Sequence, residues 1–327
     1  MLEYLYGDKM ELLDIKDLGL YVNINNIPED WIVYDGEARK SFKKEWLDVD
    51  FEEILDFYEL DDNFKESFYK ELEIVKHDIN LNYLVYLWYF IIFLTKDTFN
   101  ILRWETKFDY FRDNGSFMLP VLALLMGYNL HKQMMETNNY DLEQINYHKE
   151  NVRLSLISDG YRMGIKGIRF SQMIWGSRFM KGHIIQVGSL QYELKVNFWN
   201  GEDVIFIHIP RNTALDTISV NYSLNNAAKL IKKYLKVENL KCMTESWLLS
   251  PELKSILNEN SNIINFQKKF SIVEIKENVK DFLNFVFNDP LFNGDYDELC
   301  ANTTLQKEIK KKLLVGEILH IGIGILK

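Results

Sequence analysis

The chain is 327 residues long, enough for two domains of ordinary size, each burying its own core. Hydrophobic residues make up 47% of it, aromatics 14%, and only five prolines occur, which excludes a disordered or low-complexity chain. The formal net charge of -10, with no continuous basic stripe to offset it, repels a phosphate backbone and excludes nucleic acid as the expected partner.

Met1 to Asp8 has neither the basic n-region nor the apolar run of a secretory signal, so a cytoplasmic location is expected. From Phe42 to Tyr161 apolar residues recur every three or four positions, as in Trp46-Leu47, Phe51, Ile54-Leu55, Phe57-Tyr58 and Leu60, a helical spacing. The same spacing predicts helices over 62–76, 78–94, 117–136 and 140–158, with Asn114-Gly115-Ser116 breaking the chain before the third of these. Tyr83 to Leu94 is the most apolar run, but a helix needs about 20 residues to span a bilayer, so it reads as a buried helix and no membrane is expected. Asp159-Gly160 is a turn signal near the expected boundary, dividing a mostly helical 1–163 from an α/β domain over 164–327.

Beyond it the period changes to two. Ile184 to Val187 and Leu190 to Val196 read as strands around Gly188-Ser189, and Asn200-Gly201 is a hairpin signal leading into the strand Val204 to Ile209, which Pro210 stops. A helix from Ser223 to Leu235 follows, with Ser223 as N-cap, then a strand over 240–245. Pro251 opens a helix to Leu257, and 258–262 is a polar connection. A strand over 272–275, helices over 279–286 and 303–314, and a last strand over 320–325 complete the chain; Gly322 and Gly324 on one face of that strand mark close packing.

A strand that ends in a loop feeding a helix leaves backbone N–H groups without intrahelical partners, so the stretch from Arg211 to Ser223 is a candidate anion site. Arg211 is the expected phosphate contact, because a guanidinium donates two parallel hydrogen bonds, with Asn212, Thr213 and Ser223 in the loop and Lys229 as an electrostatic helper. Lys229 also belongs to a lysine cluster with Lys232, Lys233, Lys236 and Lys241 that reads first as a solvated helix face, with a local anion site as the alternative. The six histidines show no HExxH or paired spacing, and Cys242 and Cys300 have no CxxC spacing, so neither metal nor disulfide is expected and each cysteine reads as a small buried hydrophobe.

An ordered set of phrases then carries a resemblance: Gly188 to Glu193, His208-Ile209-Pro210, Ser223-Leu224 with Ala227-Ala228, Ser246-Trp247-Leu248-Leu249, Ser261-Asn262-Ile263 with Phe266, and Thr304-Leu305-Gln306. Together they resemble a bacterial family of acyltransferase domain-containing proteins, with a helical N-acyltransferase-type N-terminal domain and a GNAT-like C-terminal domain. The resemblance implies a GNAT-like mixed β-sheet and transfer of an acyl group from acetyl-CoA or another acyl-CoA to a small-molecule amine or peptide by direct attack. It also implies a pyrophosphate on the loop that begins at Arg211. Two positions depart from the family's pattern: the loop Arg211 to Leu215 carries no glycine, and Ser189 stands where a basic residue is expected.

Three residues are candidate catalytic groups. His208, near the end of its strand, can take a proton from an ammonium or simply satisfy a backbone carbonyl. Glu245 ends the next strand and can lie beside His208, bind a cationic amine, or form a salt bridge. Ser246 can donate to the leaving thiolate or cap a turn. Trp175, Tyr192 and Glu193 are candidate substrate contacts, with a core role as the alternative for the two aromatics; Tyr192 and Glu193 must face opposite sides of a strand. No Gly-x-Ser-x-Gly elbow supports a hydrolase, and a noncatalytic GNAT-like binding or interaction module is the competing reading.

Overall fold

A computed structural model describes residue 12 and residues 29–95, 119–162, 170–211, 213–289, 292 and 294–327. The chain forms two compact units, Met1–Gly182 and His183–Lys327. The boundary expected between 163 and 164 lies outside the described residues, as do Asn114-Gly115-Ser116 and the N-terminal eight residues.

The N-terminal unit is helical. Its described helices are α1 (Glu29–Ser41), α2 (Phe51–Phe57), α3 (Asp62–His77), α4 (Ile79–Tyr89), α5 (Leu119–Leu125), α6 (Tyr128–Thr137), α7 (Leu142–Arg162) and α8 (Phe170–Met180). Aspartates start three of them: Asp50, Asp61 and Asp78 each accept backbone N–H groups of the first turn of α2, α3 and α4. Phe68, Leu72 and Val75 form the buried stripe of α3 at helical spacing, whereas α4 and the π-turn Phe90–Leu94 that continues it are buried nearly all round. That matches the expected buried helix, and no described helix is long and apolar enough to cross a membrane.

Two expectations fail here. The helix expected over 117–136 is two, because α5 and α6 part at Met126-Gly127; a Cβ on Gly127 would stand 2.2 Å from the Phe93 ring. The turn expected at Asp159-Gly160 is absent, since α7 runs on to Arg162. The unit also buries polar groups: the Tyr58 hydroxyl meets His131 Nδ1 at 2.8 Å, and His148 Nδ1 donates to the Phe179 carbonyl at 2.9 Å. Burial pushes the His148 imidazole down to about 3.

The C-terminal unit is built on a six-stranded mixed sheet, β1 (Ile184–Val187), β2 (Leu190–Trp199), β3 (Glu202–His208), β4 (Lys241–Ser246), β5 (Phe270–Glu277) and β6 (His320–Leu326), in the order β1-β2-β3-β4-β6-β5. Only β3 and β4 run parallel, joined by the crossover helix α9 (Thr217–Leu230). Both predicted turns form: Gly188 has φ +54°, and Asn200 and Gly201 have φ 53° and 79°, the left-handed pair a two-residue hairpin requires. Gly322 and Gly324 pack as their alternation implies, against Leu249 and, for Gly324, Phe270.

Short helices α10 (Leu253–Ile256), α11 (Asn262–Gln267) and α12 (Val279–Phe285), with α13 (Thr304–Leu314), follow β4. Thr303 and Gln306 start α13 with a reciprocal capping box. Residues of α10 to α13 share a core that includes Leu253, Ile264, Phe282, Ile309 and Leu313, with Trp247 packed edge-on against Phe282. Both cysteines are free; Cys242 is half-buried, but Cys300 is exposed and is not the buried hydrophobe expected of it.

Candidate functional site

The parallel strands separate at their carboxyl ends. Their pairing runs from Val204↔Lys241 to Phe206↔Met243, after which β3 continues to His208 and β4 to Ser246, the latter held by β6 through Glu245↔Ile323 and Ser246↔Gly322. The carboxyl ends of parallel strands are where open α/β sheets take ligands.

His208 stands at that opening. Its Nε2 lies 2.8 Å from Glu193 Oε2, and the two side chains are 17% and 5% exposed. A carboxylate can only accept, so Nε2 donates, and a neutral imidazole then keeps its lone pair on Nδ1. Glu193 is two residues along β2 from the position opposite His208, on the same face. Lys195, two residues further, places its ammonium 4.0 Å from Glu193 Oε2 and 3.7 Å from the centre of the Phe206 ring. The buried carboxylate thus has a histidine on one side and a cation on the other, the arrangement that makes a buried charge tolerable.

The partner of His208 is therefore Glu193 and not Glu245. Glu245 meets Lys276 of β5 at 3.4 Å, and burial raises the Asp281 carboxyl on α12, with the neighbouring Glu245 charge adding to it. Ser246 caps the 3-10 turn Trp247–Leu249, accepting the Leu248 N–H at 3.1 Å, which is the capping alternative. Its own O–H proton is left to donate.

The expected anion site does not assemble as drawn. Asp216, not Ser223, caps α9: its side chain accepts the Ser219 N–H at 2.9 Å, and hydrogen bonds from the Ser219 hydroxyl and then that N–H hold its carboxyl below the usual range. Ser223 lies mid-helix, fully buried between the Val187 carbonyl and the Tyr192 hydroxyl, and cannot reach a phosphate. Arg211 reaches across to Asn284 and to Asn288 (2.9 Å), with Phe285 under its guanidinium at 4.8 Å. Thr213 turns its hydroxyl to the Pro210 carbonyl at 2.6 Å, and Asn212 lies outside the described residues. Lys229 is twelve residues along α9 from Thr217, about 18 Å at 1.5 Å per residue, so it does not join the loop.

Tyr192 is buried on the opposite face of β2 from Glu193, as alternation requires, with its hydroxyl 3.1 Å from Ser223. Trp175 belongs to α8 of the N-terminal unit, where the Arg178 guanidinium lies 5.6 Å from its ring. Among the described residues no group of three histidine, cysteine or carboxylate side chains comes together as a metal site would need.

The His208–Glu193 pair was legible in principle. Counting back from Asn200-Gly201 puts Glu193 directly opposite His208; a bulge between Lys195 and Trp199, with Asn197 at φ 50°, moves the register so that Gln191 faces His208 instead, but parity keeps Glu193 on the same face.

Residues 184–326 match the model of the GNAT-like C-terminal domain, a span that takes in nearly all of the C-terminal unit. The chain as a whole has the fold of acyltransferases of known structure. An acyltransferase solved with decanoyl-CoA is 18% identical, with a TM-score of 0.71 over 96% of this chain and 99% of that one. A point mutant of an acyltransferase with octanoyl-CoA (16%, TM-score 0.73) and an acyltransferase with decanoyl-CoA and teicoplanin (16%, 0.72) match over the same shares. No curated protein matches. The resemblance drawn from the sequence, a helical N-terminal part followed by a GNAT-like mixed sheet, is thus the observed organisation.

Proposed function

We propose that this chain is an acyl-CoA-dependent N-acyltransferase. The observation that carries the reading is the His208–Glu193 pair at the opening between β3 and β4 of a GNAT-like sheet. The solved complexes of similar folds with decanoyl-CoA and octanoyl-CoA support an acyl thioester as the donor, and the one with teicoplanin supports an amine on a small molecule or peptide as the acceptor.

In this reading the thioester carbonyl enters the opening between the strands. His208 accepts the proton of the attacking amine, and the Glu193 carboxylate fixes the imidazole and stabilises the imidazolium that forms. The amine nitrogen forms the new bond to the carbonyl carbon and the carbon–sulfur bond breaks. The coenzyme leaves as a thiolate that Ser246 stabilises by donation and a proton then neutralises.

The loop after β3 fits the coenzyme's pyrophosphate only in part. The first-turn N–H groups of α9 point out of the helix as an anion needs, but the Asp216 carboxylate already sits on them. Arg211 serves the pyrophosphate only if it exchanges Asn284 and Asn288 for phosphate oxygens. Calorimetric titration with coenzyme A and octanoyl-CoA tests this. Both are expected to bind saturably, and Asp216→Asn, which keeps a capping oxygen while removing the charge, is expected to tighten both about two- to fivefold. Absence of saturable binding at millimolar ligand would reject the donor assignment.

The side chains that fill this glycine-free loop favour one second reading, a noncatalytic GNAT-like ligand-binding or protein-interaction module that keeps the scaffold without the chemistry.

A further inference from the structure

A cavity of about 470 Å³ lies under the carboxyl-terminal half of α9, beside the amino end of β4. It is at the opposite end of β4 from the opening beside His208, and its volume is in the range of ligand pockets. The walls are apolar: Ile205 of β3, Leu224 and Ile231 above, Leu240 and Leu326 at the side, with the Tyr192 ring behind. Three charges stand at the mouth, Lys229, Lys232 and Glu238. Lys232 and Glu238 pair at 2.7 Å, which leaves the Lys229 ammonium as the uncompensated charge; it makes no hydrogen bond or ion pair among the described residues.

The backbone around the mouth departs from its regular form. The end of α9 widens into the π-turn Ile231–Leu235, a form that occurs mostly as single turns and frequently at functional sites. Lys236 then adopts a left-handed conformation (φ 61°) where a helix end ordinarily uses glycine, and Asn239 does so again (φ 61°). These departures hold the connection between α9 and β4 where it rims the cavity.

We propose that this cavity binds a single-chain amphiphile with an anionic head, its chain against the Ile205, Leu224 and Leu326 walls and its head at Lys229. The site is distinct from the one that would hold the acyl thioester and stands whether or not the chain transfers acyl groups.

The probe is decanoate, and the reporter is Cys242, a half-buried thiol on the cavity wall. The other cysteine, Cys300, is exposed and is removed by Cys300→Ser in the full-length chain. The rate at which a small neutral thiol reagent modifies Cys242 is followed against decanoate concentration. Decanoate is expected to slow it saturably, by at least about tenfold. Lys229→Glu should weaken that protection about fivefold, the value of one exposed charge pair, and Ala228→Trp, which plugs the mouth from the helix surface, should abolish it. Decanol is expected to protect far less than decanoate. No protection at millimolar decanoate overturns the proposal. So does protection that decanol matches, or that is unchanged in Lys229→Glu and Ala228→Trp, because each of these describes detergent-like binding without a head-group site.

Discussion

His208→Ala is expected to lower kcat/KM for acyl transfer by about 10²- to 10⁴-fold, the usual contribution of a positioned general base, and to cost about 1–3 kcal/mol of stability, because the buried Glu193 carboxylate loses a hydrogen bond. Glu193→Gln separates the two roles in the pair. The amide can still accept the His208 N–H, so the ring keeps its orientation, but the imidazolium loses its counter-charge and Lys195 the anion 4.0 Å away. A smaller loss in kcat is expected, about 10- to 100-fold, together with a downward shift of the basic group in the pH–rate profile. Steady-state rates and pH profiles of both variants check this. An unchanged rate in His208→Ala would remove the histidine from the chemistry.

On stability, Gly322→Val is expected to cost about 3 kcal/mol or more, with a corresponding fall in the denaturation midpoint. A Cβ built on Gly322 would stand 2.7 Å from both the Leu249 Cβ and the Leu249 carbonyl oxygen, and a backbone oxygen cannot swing aside. Gly324→Ala should be milder, since its nearest obstacle at 2.7 Å is the terminal Cδ1 of the Leu249 side chain, although Phe270 follows at 2.9 Å. Gly322 pairs with Ser246 at the end of β4, so a displaced β6 also shifts the strand end that borders the opening. Urea denaturation of both variants measures the order; equal midpoints in Gly322→Val and the parent would contradict the packing.

The sheet was the most legible part of the chain because its signals are local. Asn200-Gly201 and Gly188 fix two hairpins whose left-handed φ values few other residues adopt, and alternation on β2 puts Tyr192 and Glu193 on opposite faces. The start of α9 was misplaced by six residues for an equally local reason. Thr217, Ile218 and Val220 are β-branched and lower helix propensity, which hides the first turn and moves the apparent start to Ser223; the buried stripe Val220, Ser223 and Ala227 belongs to a helix already under way.

That error moved the expected phosphate contacts with it. The sequence shows no helix signal over α11, which follows the polar connection 258–262, because six residues carry too little period to stand out; Ser261 caps it all the same. The partner of His208 was missed through a tertiary effect. Glu245 is next in the parallel order, but the strands have separated where it would pair, and the antiparallel neighbour supplies the carboxylate instead.

The opening beside His208 is proposed to transfer an acyl group and not merely to bind one. The direct measurement mixes the purified chain with octanoyl-CoA, with and without a panel of small amines and short peptides, and follows free thiol and acceptor mass together. Thiol release is expected to depend on the amine, to be matched mole for mole by acylated amine, and to be lost in His208→Ala. Saturable binding of octanoyl-CoA with no amine-dependent release across the panel would contradict it and leave the chain as a binding module on a GNAT-like scaffold.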